Sequence, residues 1–340
     1  MPSVAISGIG LIGASIGLGL RRAGWDVIGW DPDPATLATA HEMGAVGTAV
    51  GSFEALVCAA GDLIILAGPP RVILNQVSSV ETPKLVIDVA GVKFDVVTRA
   101  EGKRFVGTHP MAGRETRGPE AASPSLFRGA TWAVVTDGAS EEDLAFVERM
   151  LGDLGALPLR MTAVEHDKGV AVISHLPQVL ATALVNEAAD RTNTLELVAG
   201  SFRDLTRVAA SDPGIWVDVL QLNTPQIHAA IEDFRERLGR VAAALCEGDD
   251  EMIRAFLGRG QEIRRSLAPG SVPVRVALAD EPGELARVGR AFGSASVDVR
   301  DLQLRHAPHG GGGILTVSVR LGEDEALRTA LEDEGLMVLE

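Results

Sequence analysis

Residues 4–7 read Val-Ala-Ile-Ser, and Gly8-Ile9-Gly10-Leu11-Ile12-Gly13 follows at once. A short apolar run, closed by glycines and leading into an apolar-periodic stretch, predicts a buried strand, a tight turn and a helix. Gly8 permits the sharp turn. Gly10 lets a ligand's phosphates approach the backbone, and Gly13 lets the helix lie closely on the strand. The helix start at Leu11 and Ile12 offers free N–H groups and the positive end of the helix dipole. Asp31 ends the next apolar run, 18 residues after Gly13. A carboxylate there accepts from both hydroxyls of a ribose and repels a 2′-phosphate, so the pattern predicts NAD rather than NADP.

The surrounding sequence supports that reading. Strands are expected at 3–7, 26–30, 62–66, 84–88, 104–107 and 131–136, with helices at 11–23, 34–42, 53–59 and 72–79. Alternation of this kind, with nearly continuous apolar strands, predicts a Rossmann-type α/β fold over residues 1–160: a doubly wound parallel sheet covered on both faces. The Gly68-Pro69-Pro70 turn lies either against the nicotinamide side of the cofactor or in an ordinary strand-to-helix connection. After the run at 104–107 comes Thr108-His109-Pro110-Met111-Ala112-Gly113-Arg114-Glu115. Ligands of open sheets bind beyond the carboxyl ends of the strands. A histidine in a loop there can take a hydroxyl proton while hydride leaves the same carbon.

The character changes near residue 161. From 162 to 267 the patterns are helical, with apolar residues such as Ile231, Phe234, Leu238, Val241 and Leu245 at three- and four-residue spacing. An all-helical domain is expected over 161–267. Ala268-Pro269-Gly270-Ser271 reads as a linker. The rest, 272–340, has a βαββαβ rhythm: strands at 272–279, 297–305, 314–320 and 336–339, and helices at 282–292 and 324–333.

Charge limits the partners. The chain of 340 residues carries 31 Lys and Arg against 46 Asp and Glu, a formal net charge of −15. A surface so acidic argues against nucleic acid or an anionic membrane, and an anionic substrate must be held by a few placed arginines. Cys58 and Cys246 lie far apart, no basic-then-apolar leader precedes residue 3, and no window holds 18 uninterrupted apolar residues. A reduced, cytoplasmic enzyme without a metal site is expected.

Gly107 to Glu115 resembles the signature of the prephenate dehydrogenase family, decarboxylating dehydrogenases of tyrosine biosynthesis. His166-Asp167-Lys168, Ser174-His175-Leu176-Pro177-Gln178, and Phe202 to Ala209 with Ser211-Asp212-Pro213 and Trp216 are similar to further family segments, so the resemblance covers roughly 3–265. It implies a homodimer, NAD-dependent oxidative decarboxylation of prephenate to 4-hydroxyphenylpyruvate, and His109 as acceptor of the C4 hydroxyl proton. It also implies that Arg207 binds a substrate carboxylate through its planar fork. His175 would line the pocket, Trp216 would wall the ring, and Glu115 with Arg114 would sit at the entrance. Each of these has a structural alternative: an Arg–Asp pair, a core histidine, a core tryptophan.

In Asp88-Val89-Ala90-Gly91-Val92-Lys93 the chain departs from the family. The resemblance places a serine at Gly91 that bonds the histidine and the C4 substituent. Either a water replaces that hydroxyl, or the substituent is an amine and the substrate is 4-amino-4-deoxyprephenate, giving 4-aminophenylpyruvate. Asp280-Glu281-Pro282-Gly283-Glu284-Leu285 resembles the ligand turn of the amino-acid-sensing ACT domain. It implies either an aromatic amino-acid effector at Gly283, Glu284 and Leu285 or a ligand-free module used for dimer contacts. Two other readings are a hydroxyacid or imine reductase, expected to use a helical-domain lysine, and a non-catalytic NAD-binding sensor.

Overall fold

A computed structural model describes residues 1–113, 116–266, 271–306, 312–320 and 322–339. The chain forms two compact units, Met1–Ala188 with Thr206–Phe234, and Ala189–Leu205 with Arg235–Glu340.

The first unit opens with β1 (Ser3–Ser7), α1 (Leu11–Arg22), β2 (Asp26–Trp30), α2 (Pro34–Glu42), β3 (Thr48–Ala49), α3 (Phe53–Ala59), β4 (Leu63–Leu66), α4 (Pro70–Ser79), β5 (Leu85–Asp88), α5 (Phe94–Arg99) and β6 (Phe105–Val106). The six strands make a parallel sheet in the order β3-β2-β1-β4-β5-β6. Strand order reverses between β1 and β4, and the crevice beyond their carboxyl ends is the ligand position of a doubly wound sheet. β4 is buried along its whole length, because helices cover both faces. One core packs Ile6, Ile16 and Ile65 on one side, and a second packs Ile64, Leu66 and Ile73 on the other.

The expected strand at 131–136 is not part of that sheet. β7 (Thr108–Pro110), β8 (Thr131–Val135) and β9 (Leu157–Met161) form a separate three-stranded sheet, with α6 (Glu141–Asp153) between β8 and β9. β7 runs antiparallel to β8, and His109 lies opposite Ala133. The expectation of His109 in an exposed loop is therefore corrected: it is a half-buried strand residue.

Beyond β9 come α7 (Ala163–Val170), a π-helical segment (Ala171–His175) and α8 (Leu176–Ala189). Thr162 and Glu165 form a reciprocal capping box that starts α7. By length and apolar composition the continuous helix Ala163–Ala189 could cross a bilayer, and it carries the buried polar residues His166, Asp167, His175 and Gln178. Then follow α9 (Gly200–Thr206), a 3-10 turn (Arg207–Ala210), α10 (Pro213–Leu222), α11 (Thr224–Glu247) and α12 (Asp250–Ser266). A small apolar cluster of Leu176, Leu180, Ile227 and Phe234 joins α8 to the start of α11.

The second unit contains the βαββαβ module: β10 (Ser271–Leu278), α13 (Glu284–Ala295), β11 (Val299–His306), β12 (Gly313–Arg320), α14 (Asp324–Asp333) and β13 (Met337–Leu339). Its sheet is antiparallel throughout, in the order β11-β12-β10-β13, a ferredoxin-like arrangement. Val274, Val276, Val317 and Leu331 fill its core.

Candidate active site

The glycine turn sits at the switch point. Gly8 has φ +89°, and a Cβ there would meet the backbone of Ala67 and Gly68 at 2.8 Å. A Cβ on Gly13 would lie 1.9 Å from the Gly8 carbonyl oxygen, so α1 can approach β1 only with glycine at this position. Gly10 caps α1, and a Cβ on it would project into open space. Leu11 and Ile12 are the first helical residues, whose N–H groups have no partner within the helix. The Asp31 carboxylate accepts from the Ile9 N–H at 2.8 Å and from the Asp33 N–H at 3.0 Å, which fixes it beside the glycine turn. Gly68 and Pro69 lead from β4 into α4 with Pro69 as its capping residue, and helix begins at Pro70, two residues earlier than expected. A dinucleotide fits this cradle: open space at Gly10, N–H groups of the helix start beside it, and an acceptor-only carboxylate just past the end of β2.

The chemical centre is built at the ends of β5 and β7. His109 Nδ1 lies 2.9 Å from His166 Nε2, and His166 Nδ1 lies 2.7 Å from Asp167 Oδ1. Asp167 also accepts from the backbone N–H groups of Lys93 and Phe94, each at 2.8 Å, so it holds the start of α5 as well. A carboxylate only accepts, so His166 donates from Nδ1. Its Nε2 therefore accepts the His109 Nδ1–H, and the lone pair of His109 stays on Nε2. A Cβ on Gly91 would lie 3.5 Å from both Cε1 and Nε2 of His109, so that lone pair adjoins the space above Gly91. Burial, together with His166, Lys93 and His175 nearby, holds the His109 pKa well below its ordinary value. The imidazole is neutral at pH 7 and has the tautomer of a base.

His175 reaches this centre through the π-helical segment. The nine steps from His166 to His175 would turn a straight α-helix by about 900°, at ~100° per residue, leaving the two on opposite faces. Wider π turns rotate less per residue and bring them toward one face. Pro177 accounts for the widening: its ring clashes with the carbonyl four residues earlier, at Ile173, inside the segment. His175 is 2% exposed, and burial first, with His166 adding to it against Asp167, lowers its pKa to about 4. Asn223 donates to the Asp167 carbonyl at 2.9 Å and lies 3.2 Å from His175 Nδ1.

Trp216 on α10 meets His175 edge-on, with ring centroids 6.0 Å apart, and also packs on the core of the parallel sheet. It is thus partly buried between His175 and that core. α10 is tied down by Arg71, which bonds Asp218 and Gln221, and by Arg117, 2.5 Å from Asp212. Arg207 is exposed in the 3-10 turn before α10. Arg114 and Glu115 lie outside the described residues.

Nothing in the sequence alone gives His166, Asp167, Lys93 or Asn223 a role. Adjacent His and Asp just after the Thr162–Glu165 capping pair was the available signal, since both then fall in the first turns of one helix.

In the C-terminal module, Gly283, Glu284 and Leu285 line a cavity of about 380 Å³ with Asp280, Glu281 and Leu304. Gly283 has φ +101°, which glycine alone adopts freely. Glu284 accepts from the Ala279 N–H at 3.2 Å and pairs with Arg287 at 2.6 Å. Among the described residues no cluster of His, Cys, Asp and Glu is arranged to hold a metal.

Comparison with known proteins agrees with this arrangement. The family model for the nucleotide-binding domain of prephenate dehydrogenase matches residues 16–158, and that for its dimerization domain matches residues 162–259. The prephenate dehydrogenase of Lactococcus lactis is 32% identical over 85% of this chain and 85% of its own length. The probable prephenate dehydrogenase NovF of Streptomyces niveus is 30% identical over 96% of each chain. The crystal structure of Aquifex aeolicus prephenate dehydrogenase with hydroxyphenyl propionate and NAD+ superposes with a TM-score of 0.73 at 29% identity, covering 78% of this chain and 98% of that one. The chain belongs to the prephenate dehydrogenase family.

Proposed function

We propose that the protein oxidatively decarboxylates prephenate to 4-hydroxyphenylpyruvate with NAD+. The observation that carries the reading is the His109 lone pair, fixed on Nε2 by the run of hydrogen bonds to His166 and Asp167. Bound at the glycine turn, NAD+ supplies the acceptor for the hydride that leaves C4 of the substrate. His109 Nε2 takes the C4 hydroxyl proton as that carbon is oxidised, and returns it to the ring oxygen as CO₂ departs from C1 and the ring becomes aromatic. His166 accepts the hydrogen bond from Nδ1 and steadies the imidazolium, with Asp167 behind it. Arg207 binds a carboxylate of the substrate, His175 and Trp216 line its pocket, and Arg114 and Glu115 guard its entrance. Gly8, Gly10, Leu11, Ile12 and Gly13 hold the pyrophosphate, Asp31 the ribose, and Gly68 and Pro69 the nicotinamide side.

We place the work in three segments: 1–160 binds the cofactor, 161–267 binds substrate and dimerises, and 272–340 regulates. Residues 162–259 match a dimerization domain, which supports a homodimer. Cys58 and Cys246 are both free, which suits a reduced cytoplasm. In the ACT-like module the cavity at Gly283 takes an aromatic amino acid. Initial rates that stay flat on adding tyrosine or phenylalanine would refute the effector.

NADH formation tests the function directly: turnover is expected with prephenate, and none with prephenate, arogenate or the amino analogue would overturn it. Gly91 supports the second reading, 4-amino-4-deoxyprephenate, because the missing side chain leaves room beside His109 for a different C4 group. A kcat/KM at least tenfold higher for prephenate than for the amine would exclude that reading.

A further inference from the structure

Beneath His109 lies a second charged group that the proposed chemistry does not use. Lys93 and Asp88 are each fully buried, and their side chains are paired. Lys93 also donates to the Thr108 carbonyl at 2.7 Å, one residue before His109. Asp88 accepts from the Ala90 N–H at 2.8 Å and the Thr108 N–H at 3.2 Å, and the Thr108 hydroxyl donates to the Asp88 carbonyl at 2.5 Å. Every partner of the carboxylate is a donor and every partner of the ammonium an acceptor, the pattern of an ionised pair. Gly107 leaves the lysine its path: a Cβ there would lie 3.5 Å from Lys93 Cδ and 2.9 Å from Val97.

Buried ion pairs contribute little to stability compared with an apolar replacement of the same shape. The position of this one suggests its use. The pair joins the end of β5, the cap of α5 and the start of β7, and so sets where His109 stands. We propose that Lys93 is a positioning residue for the reaction, acting on His109 both through the Thr108 carbonyl and through its positive charge. The proposal rests on His109 being the base.

The charged and titratable groups around His109 are Asp88 and Lys93 on the β5–α5 side, His166 and Asp167 on α7, and His175 on the π segment. Arg114 and Glu115 follow in sequence. Burial pulls the Lys93 pKa down, while its pairing with Asp88 and the nearby Asp167 hold the ammonium charged. It opposes protonation of His109, in line with the direction of that group's shift.

The test is a histidine NMR titration of the full chain, with the His109 signal assigned by its loss in His109→Asn. Lys93→Gln keeps two donors for Asp88 and Thr108 but removes the charge, and Lys93→Met removes both. The expected result is a His109 pKa raised by ~0.5–1 unit in Lys93→Gln. The acid limb of kcat/KM for prephenate moves up with it, and kcat falls further in Lys93→Met than in Lys93→Gln. His109 titrating where it does in the parent chain, or still not titrating, overturns the proposal even if turnover drops. Because the NMR readout needs no substrate, it separates this proposal from the proposed function, which fails instead if the parent chain does not turn over prephenate.

Discussion

Replacing His166 with phenylalanine isolates the relay behind the proposed base. The ring is kept, so the buried site, 2% exposed in the parent, stays filled. Asp167 keeps its two backbone donors, Lys93 and Phe94, each at 2.8 Å, so α5 should remain anchored. What disappears is the acceptor 2.9 Å from His109 Nδ1. In the resting enzyme that hydrogen bond is neutral. Once His109 takes the substrate proton, it becomes charge-assisted, and such bonds contribute about 1.5–3 kcal/mol. The loss therefore falls mainly on the transition state, and at ~1.4 kcal/mol per decade kcat should drop by roughly 10- to 150-fold. The loss of the tautomer lock adds to this. KM for NAD+ should stay within about twofold, because the glycine turn is untouched. Initial NADH rates at saturating prephenate and NAD+, with circular dichroism to confirm folding, make the measurement. A kcat within threefold of the parent, in a folded variant, would refute the relay.

Two further outcomes follow from the geometry. Gly13→Ala places a Cβ 1.9 Å from the Gly8 carbonyl oxygen, so α1 must lift from β1. This overpacking should cost about 1–3 kcal/mol in denaturant unfolding, and KM for NAD+ should rise by at least tenfold; an unchanged KM would contradict the cradle. His175, with a folded pKa of about 4 against an ordinary 6.5, is favoured neutral in the fold. The unfolded chain thus binds more protons than the folded one between these values, so stability is full above pH 6.5, falls as pH drops through the window and levels off below about 4. The slope reaches at most ~1.4 kcal/mol per pH unit from this group, and His109 adds in the same direction. Calorimetric Tm should fall from pH 6.5 to 4.5 by more in the parent than in His175→Gln, and equal falls would count against it.

Legibility in the sequence followed the local physics. β1, β2, α2, α3 and α14 lie where the sequence alone places them, because each is an apolar-periodic stretch bounded by Gly, Pro or a capping side chain. Asp33 and Ser52, for instance, cap α2 and α3 with their side chains. The strand that carries His109 is not legible. Thr108-His109-Pro110 is too short and too polar to show alternation, and only pairing with Trp132 to Val134 makes it β. α6 is not among the expected helices, although Ser140 caps it and three acids stand in its first turn. The relay was hidden for a different reason. His166 contacts His109 across 57 positions of sequence, with Asp167 behind it, and the rotation that brings His175 in depends on a π segment that periodicity at 3.6 residues cannot reveal. Pro177 was its one visible trace.

The central claim is that a neutral His109, with its lone pair on Nε2, takes the C4 hydroxyl proton. The most direct test is the pH dependence of kcat/KM for prephenate in the parent chain and in His109→Asn. The parent should hold its rate down through pH 6.5 and lose it only as pH falls through the lowered His109 pKa, while His109→Asn should retain NAD+ binding, lose turnover by about 10²–10⁴-fold and show no such limb. Turnover in His109→Asn at the parent's rate, with the same acid limb, would contradict the account.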